Sequence, residues 1–182
     1  MAEPNTTYKL TILFLLDRLE NPFSNTQLTN FFLDTGYSGY FSEEKEHTGY
    51  FTIQSVINDL LESGLILVTE KTVSDTLYRI TQTGRETLHA MEDKLTDGLK
   101  KDATDYLIAH GNTITQENSL LANYYRTTAQ NYAVRLQYRK KNEPLIDLTI
   151  TVPNKDAAEA ACKHWHETNG DVYSYLLELL VP

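Results

Sequence analysis

Four side chains within one short stretch, Thr52, Gln54, Ser55 and Asn58 of TIQSVINDLLESG, carry hydrogen-bonding groups of the kind that read a polar surface. On the exposed N-terminal part of a helix, such groups meet base edges in the major groove of DNA. Glutamine and asparagine amides pair bidentately with adenine, and hydroxyls are permissive. No Arg or Lys accompanies them on this helix, and a cation normally supplies the guanine or phosphate contact. The plainer alternative is a solvated polar face. Three cations downstream, Lys71, Arg79 and Arg85, stand where they could touch phosphate. Arg85 lies near the start of a helix, where backbone amides also favour phosphate. The plainer reading of these charges is again solvation.

A second constellation is Cys162, His164 and His166. Cys162 and His166 are four residues apart and share a helical face. Cys162 also falls in an apolar stripe with Ala158 and Trp165, where a free thiol behaves as a small hydrophobe. Two or three ligands on one helix do not complete a metal site, so no metal and no cofactor is expected. Catalytic signatures are absent: no Gly-rich phosphate loop, nucleophile elbow or HExxH occurs. Asp102, Asp105 and Asp147 are scattered carboxylates, and no enzyme is expected. Tyr124, Tyr125, Tyr132 and Tyr138 either line a ligand pocket or, more simply, pack in a sheet-facing core.

The elements that must position these residues are largely legible. YKLTILFLLDRLE is apolar on nearly all sides of a helix, which requires burial on more than one side. A core helix satisfies that demand, and a helix that also forms a dimer seam is the sharper alternative. FSNTQL opens a second helix: Ser24 with Gln27 matches a capping box, and Phe23 with Leu28 matches the hydrophobic staple. Gly36 supplies the stop. In the third helix Thr52 is the expected N-cap, with Phe51 and Val56 as staple. Ile53, Val56, Ile57, Leu60 and Leu61 form its apolar stripe, and Gly64 ends it. LILVTEK and LYRIT, joined by TVSDT, read as a hairpin. Thr83 with Glu86 matches a second capping box at TGRETLHAMEDKL. Three helices, a hairpin and another helix follow the order of a winged helix-turn-helix.

Residues 98–118 are expected to be a junction, with a short helix over about Lys101 to His110 and then a polar loop. Beyond it, NYAVRLQYR and PLIDLTITV alternate with period two, and SLLANYYRT is a third strand. NKDAAEAACKHWHE reads as a helix capped by Asn154, and DVYSYLLELL as a final helix begun by Asp171. The expected fold is therefore α+β, an N-terminal winged helix-turn-helix (1–97) followed by a small domain (119–182). That domain holds a three-stranded antiparallel sheet and two C-terminal helices.

Totals bound the function. The chain of 182 residues has 41% hydrophobic and 23% charged residues and a net charge of −9. Residues 1–98 hold seven Lys and Arg against fifteen Asp and Glu, a net −8. An acidic domain lacks the general electrostatic footprint for nucleic acid. The longest apolar run, Leu10 to Leu16, is too short to span a bilayer, so no membrane association is expected. No signal peptide is read. One cysteine fits a reducing cytoplasm.

YKLTILFLLDRLENPFSNTQL, ITQTGRETL, LLANYY and IDLTITVP resemble segments of a family of bacterial proteins known only as a domain of unknown function, number forty-three sixty-four. The likeness runs from about Tyr8 to the C-terminus. It implies a winged-helix front half, a small α+β back half and a regulatory role suggested by the winged helix alone. One departure stands out. An aromatic-Phe-Ser/Thr element appears twice, as Gly39-Tyr40-Phe41-Ser42 and Gly49-Tyr50-Phe51-Thr52. The intervening acidic stretch makes residues 42–48 an apparent insertion beside the third helix. The leading expectation is a cytoplasmic DNA-binding regulator, acting as a homodimer on double-stranded DNA. Thr52, Gln54, Ser55 and Asn58 would read the groove, with Lys71, Arg79 and Arg85 on the backbone. A protein-interaction module that keeps the same scaffold without binding DNA is the alternative.

Overall fold

The computed structural model describes residues 4–19, 21–37, 47–72, 75–140 and 143–181. Among them are six α-helices and two three-stranded antiparallel sheets, a mixed α+β architecture. The chain divides into two compact units, Met1–Lys71 with Asp75–Thr115, and Thr72–Ser74 with Gln116–Pro182.

In the first unit, α1 (Pro4–Arg18) lies in the core. Tyr8, Leu10, Ile12, Leu13, Phe14, Leu15 and Leu16 are all buried, as a helix apolar on every side requires. Thr11, the polar residue in that run, is buried too and donates its hydroxyl to the Thr7 carbonyl at 2.8 Å. A short strand β1 (Phe23–Ser24) leads into α2 (Asn25–Asp34). The capping box forms: Ser24 Oγ accepts from the Gln27 amide, and the Gln27 side chain accepts from the Ser24 amide. Phe23 and Leu28 are both fully buried. Helix α3 (His47–Glu62) buries Ile53, Val56, Ile57 and Leu60. It ends at Gly64, whose φ of 67° permits two closing bonds, Leu65 N–H to the Leu60 carbonyl and Gly64 N–H to the Leu61 carbonyl.

The hairpin is β2 (Ile66–Lys71) and β3 (Thr76–Ile80), with β1 on the far side of β3. Helix α4 (Gln82–Met91) follows, then a 3-10 turn (Glu92–Lys94) and α5 (Asp97–Ser119).

Three local expectations are corrected here. Thr52 is not an N-cap: α3 already runs from His47, because Gly49 is buried and continues the stripe of Ile53, Val56 and Leu60 one turn back. Phe51 is consequently inside the helix and exposed, not at the staple position. The cap of α4 is Thr81, not Thr83. The Thr81 hydroxyl accepts from the Gly84 amide and donates to the Gly64 carbonyl at 2.7 Å, a bond Thr83 is too far along to make. Finally, no polar loop follows residue 110. Leu99, Ala103, Gly111 and Ile114 are buried at helical spacing, so α5 continues through the glycine to Ser119.

In the second unit, β4 (Leu120–Arg126), β5 (Tyr132–Lys140) and β6 (Glu143–Val152) form a sheet in that order. Alternation works as its period requires: Val134, Leu136 and Ile146 are buried with Ala158 and Trp165 of α6 (Lys155–Leu180). Asn154 caps α6, accepting from the Ala157 amide at 2.9 Å. One helix stands where two were expected. Ala158, Ala161, Cys162, Trp165, Val172, Tyr173 and Leu176 keep one phase against the sheet across Gly170, so burial carries the helix past its weak residues.

The opposite sheet face carries a polar network. Arg135 donates to Asp147 from Nε at 2.9 Å and from a terminal nitrogen at 2.6 Å. Gln137, 2% exposed, donates to the same carboxylate at 2.7 Å. The Arg135 bonds are the main reason the Asp147 carboxyl sits below the usual carboxylate range. A depressed folded-state pKa stabilises the fold above the unfolded value, and that gain is lost as pH falls through the folded one. Asp147→Asn is therefore expected to flatten the acid limb of a urea midpoint plotted against pH. An unaltered acid limb would show that this network is not linked to folding.

Candidate functional site

Where the expected reading residues sit follows from the helical wheel of α3. With Gly49, Ile53, Val56, Ile57 and Leu60 facing the core, the outermost stripe is Phe51, Ser55, Asn58 and Glu62, at offsets of four, three and four. Ser55 and Asn58 are exposed on it. Thr52 and Gln54 lie on its flanks and are half-buried.

Gln54 is committed elsewhere. Its amide forms a reciprocal pair with Asn25 of α2, donating at 2.8 Å and accepting at 2.9 Å. Asn25 also donates to the Tyr78 hydroxyl at 3.3 Å. Gln54 thus ties α3 to α2 and, through Asn25, to β3. Both amide atoms that would pair with adenine are used in this bridge.

The cations divide similarly. Lys71 is exposed at the end of β2, opposite Thr76. Arg79 is half-buried in β3, opposite Leu67. Arg85 sits in the first turn of α4 and donates from Nε to Asp17 of α1 at 3.1 Å. On the other side of α3, Asp59 takes an ion pair from Lys9 of α1 at 2.9 Å. The two hairpin cations occupy one ribbon, whereas Arg85 belongs to the α1–α4 contact.

Two exposed aromatics were missed as functional candidates. Phe51 is 71% exposed and Tyr50 is 48% exposed, with ring centroids 6.0 Å apart at an interplanar angle of 77°. The pair leaves aromatic surface open to solvent at the N-terminal end of α3. The signal that could have found them was present: Gly49 is the stripe position four residues before Ile53, and it puts Phe51 on the far face. Glu43, Glu44 and Glu46 of the apparent insertion lie outside the described residues.

The remaining constellations divide between packing and exposed surface. Tyr124, Tyr132 and Tyr138 pack around the second core, and Tyr125 is exposed on the other face. Cys162 packs in the same core, where burial, with Glu159 adding, pushes its thiol pKa up. His164 and His166 are exposed. Among the described residues, no three His, Cys, Asp or Glu come together as a metal site. Two shallow depressions lie in the first unit. One, of about 380 Å³, is bordered by Phe14, Arg18, Leu19, Thr104, Leu107 and Ile108. The other, of about 400 Å³, is bordered by Asp34, Asp102, Asp105, Tyr106 and His110, and Tyr37 donates to Asp102 beside it at 2.6 Å. No helix among the described residues is long and apolar enough to cross a membrane.

Comparison with known proteins adds a family and no relative. No curated protein and no solved structure matches the chain. The model of the family described as "Domain of unknown function (DUF4364)" matches residues 8–45 and 43–180, two stretches that meet inside the doubled aromatic element. With nearly the whole length matched in two consecutive pieces, the chain belongs to the DUF4364 family.

Proposed function

We propose that the first unit is a winged helix-turn-helix used as a protein-interaction module, with the outer face of α3 as its docking surface. The order α1, α2, α3, β2–β3 hairpin and α4 supports the winged-helix reading. The observation that carries the function is Phe51, a large apolar side chain 71% exposed on the stripe that a DNA reader would present to the groove. Tyr50 extends it, and Glu62 ends it with a negative charge. Such a surface fits a partner with an apolar pocket rimmed by Lys and Arg, which the net −8 of residues 1–98 also favours.

The test places a photo-crosslinking residue at position 51 and, in parallel, measures retention of genomic DNA fragments at low and moderate salt. The expected result is one reproducible protein adduct, abolished when Tyr50 is changed to Asp, with no fragment retained. Fragments retained with a steep salt dependence, and no protein adduct, would overturn the proposal.

A DNA-binding homodimeric regulator is the second reading. It is favoured by Ser55 and Asn58, exposed three residues apart on α3, and by Lys71 and Arg79 on the hairpin. It loses support from Gln54 and Arg85, whose polar groups are engaged within the unit.

A further inference from the structure

The second unit carries an unusual sheet edge. In the order β4-β5-β6, β6 has a neighbour on one side only among the described residues. It is ten residues long, and its pairing with β5 is regular from Ile146 to Val152. Natural edge strands are blunted by lysine, proline, bulges or a covering element. Here Pro144 and the register shift opposite Tyr138/Arg139 both lie at the hairpin end, no lysine occurs in the strand, and the charge in its regular part, Asp147, is paired with Arg135 of β5. Cover is uneven as well. Helix α6 reaches β4 through the Tyr124–Glu159 hydrogen bond and β5 through Trp165, whose indole donates to the Gln137 carbonyl. On β6, Ile150 belongs by alternation to the face that α6 covers, yet it is 41% exposed.

The pattern of β6 is complementary to itself. In a two-fold antiparallel pairing, apolar residues meet apolar residues only when the axis passes through a residue, because any other placement sets the two faces against each other. An axis at Asp147 would oppose two carboxylates. An axis at Leu148 pairs Leu148 with its own copy, Ile146 with Ile150, and Asp147 with Thr149, so no like charges face each other. It pairs Ile146–Ile150 with itself, inside the regular part of the strand.

We propose that β6 pairs antiparallel with β6 of a second copy of this chain, about an axis at Leu148, to make a continuous six-stranded sheet. The contact is isologous and closes at two copies, and it sets the exposed flank of Ile150 against Ile146 of the partner copy. It gives a surface to the homodimer of the second reading, but lies in the other unit and requires neither DNA nor a protein partner.

The test is the mass of the full chain in solution, by sedimentation or light scattering across a dilution series, for the unmodified protein and Thr149→Asp. Within one chain Thr149 lies opposite Arg135, whose guanidinium already holds Asp147, so Thr149→Asn is measured beside Thr149→Asp as the uncharged control. Across the proposed axis the carboxylate of Thr149→Asp meets Asp147 twice. The unmodified chain is expected at twice 20.8 kDa. Thr149→Asp is expected to weaken the dimer roughly tenfold or more relative to Thr149→Asn, and its thermal midpoint to lose the rise with protein concentration that association gives the unmodified chain. Amide exchange across Ile146–Thr151 is expected to slow as protein concentration rises. A monomer at every concentration, a dimer indifferent to Thr149→Asp, or growth beyond two copies by β6-to-β4 pairing would each overturn the inference. These readouts contain neither DNA nor partner, so their failure is separable from that of the functional proposal.

Discussion

Gly84→Ala is expected to cost the first unit about 3 kcal/mol, the upper part of the range for overpacking a buried site. A Cβ built at Gly84 falls onto the Leu65 carbonyl oxygen and lies 2.8 Å from Ile80 Cγ1. The isoleucine can rotate, but the carbonyl cannot. That oxygen is held by the Thr81 amide at 3.0 Å and shares the single Thr81 hydroxyl hydrogen with the Gly64 carbonyl, the contacts that seat the start of α4 against the segment leaving α3. Relief therefore requires α4 to move away and those bonds to stretch, at about 1 kcal/mol each. The better helix propensity of alanine offsets less than about 1 kcal/mol of this. Gly98→Ala is the matched control. It lies in the first turn of α5 with nothing within 4 Å of its added carbon, so a small gain is expected. Thermal unfolding followed by circular dichroism should separate the two, with Gly84→Ala lower by more than about 10 °C. A midpoint within a few degrees of the unmodified protein would mean that α4 is not seated on Leu65 as described.

The second large effect belongs to Trp165→Ala. Trp165 is 2% exposed and is the largest member of a core whose other buried residues are Val134, Leu136, Ile146 and Ala158. Truncating a buried tryptophan costs about 3–5 kcal/mol, and a small core has little else to close the cavity. Its indole also donates to the Gln137 carbonyl at 3.0 Å, in the middle strand of the sheet. Trp165→Phe keeps most of the ring volume and loses that donor, so about 1–2 kcal/mol is expected from it. In a two-dimensional amide spectrum, Trp165→Ala should collapse the resonances of β4–β6 and α6 while those of α1–α4 keep their dispersion. Retained dispersion in the sheet, with a denaturation midpoint near that of the unmodified chain, would remove Trp165 from its assigned place.

How far the residues alone could be read is clearest at the helix ends. The Ser24 capping box, the Gly36 and Gly64 stops and the Asn154 cap depend on groups within a few residues, and each forms. Thr81 displaced Thr83 as a cap because its hydroxyl has a partner at Gly64, seventeen positions away. Gly111 and Gly170 resemble helix stops locally, but α5 and α6 continue through them because an apolar stripe stays in phase on both sides. The same division runs through the candidate site. Ser55 and Asn58 are on the outer face as the period of α3 requires, and Phe51 could have been placed there by extending that period back to Gly49. The engagement of Gln54 by Asn25 and of Arg85 by Asp17 could not, since those partners stand 29 and 68 positions away.

What the sequence by itself determined is therefore set by short-range chemistry: the amphipathic periods, the alternating strands, the Ser24 and Asn154 caps, the acidity of the front half and the family. What only the tertiary structure decided is which polar groups are consumed inside the fold and which apolar ones are left outside it. The reason is physical. A hydrogen bond or a buried face requires two partners, and chain folding alone brings together those that lie tens of residues apart.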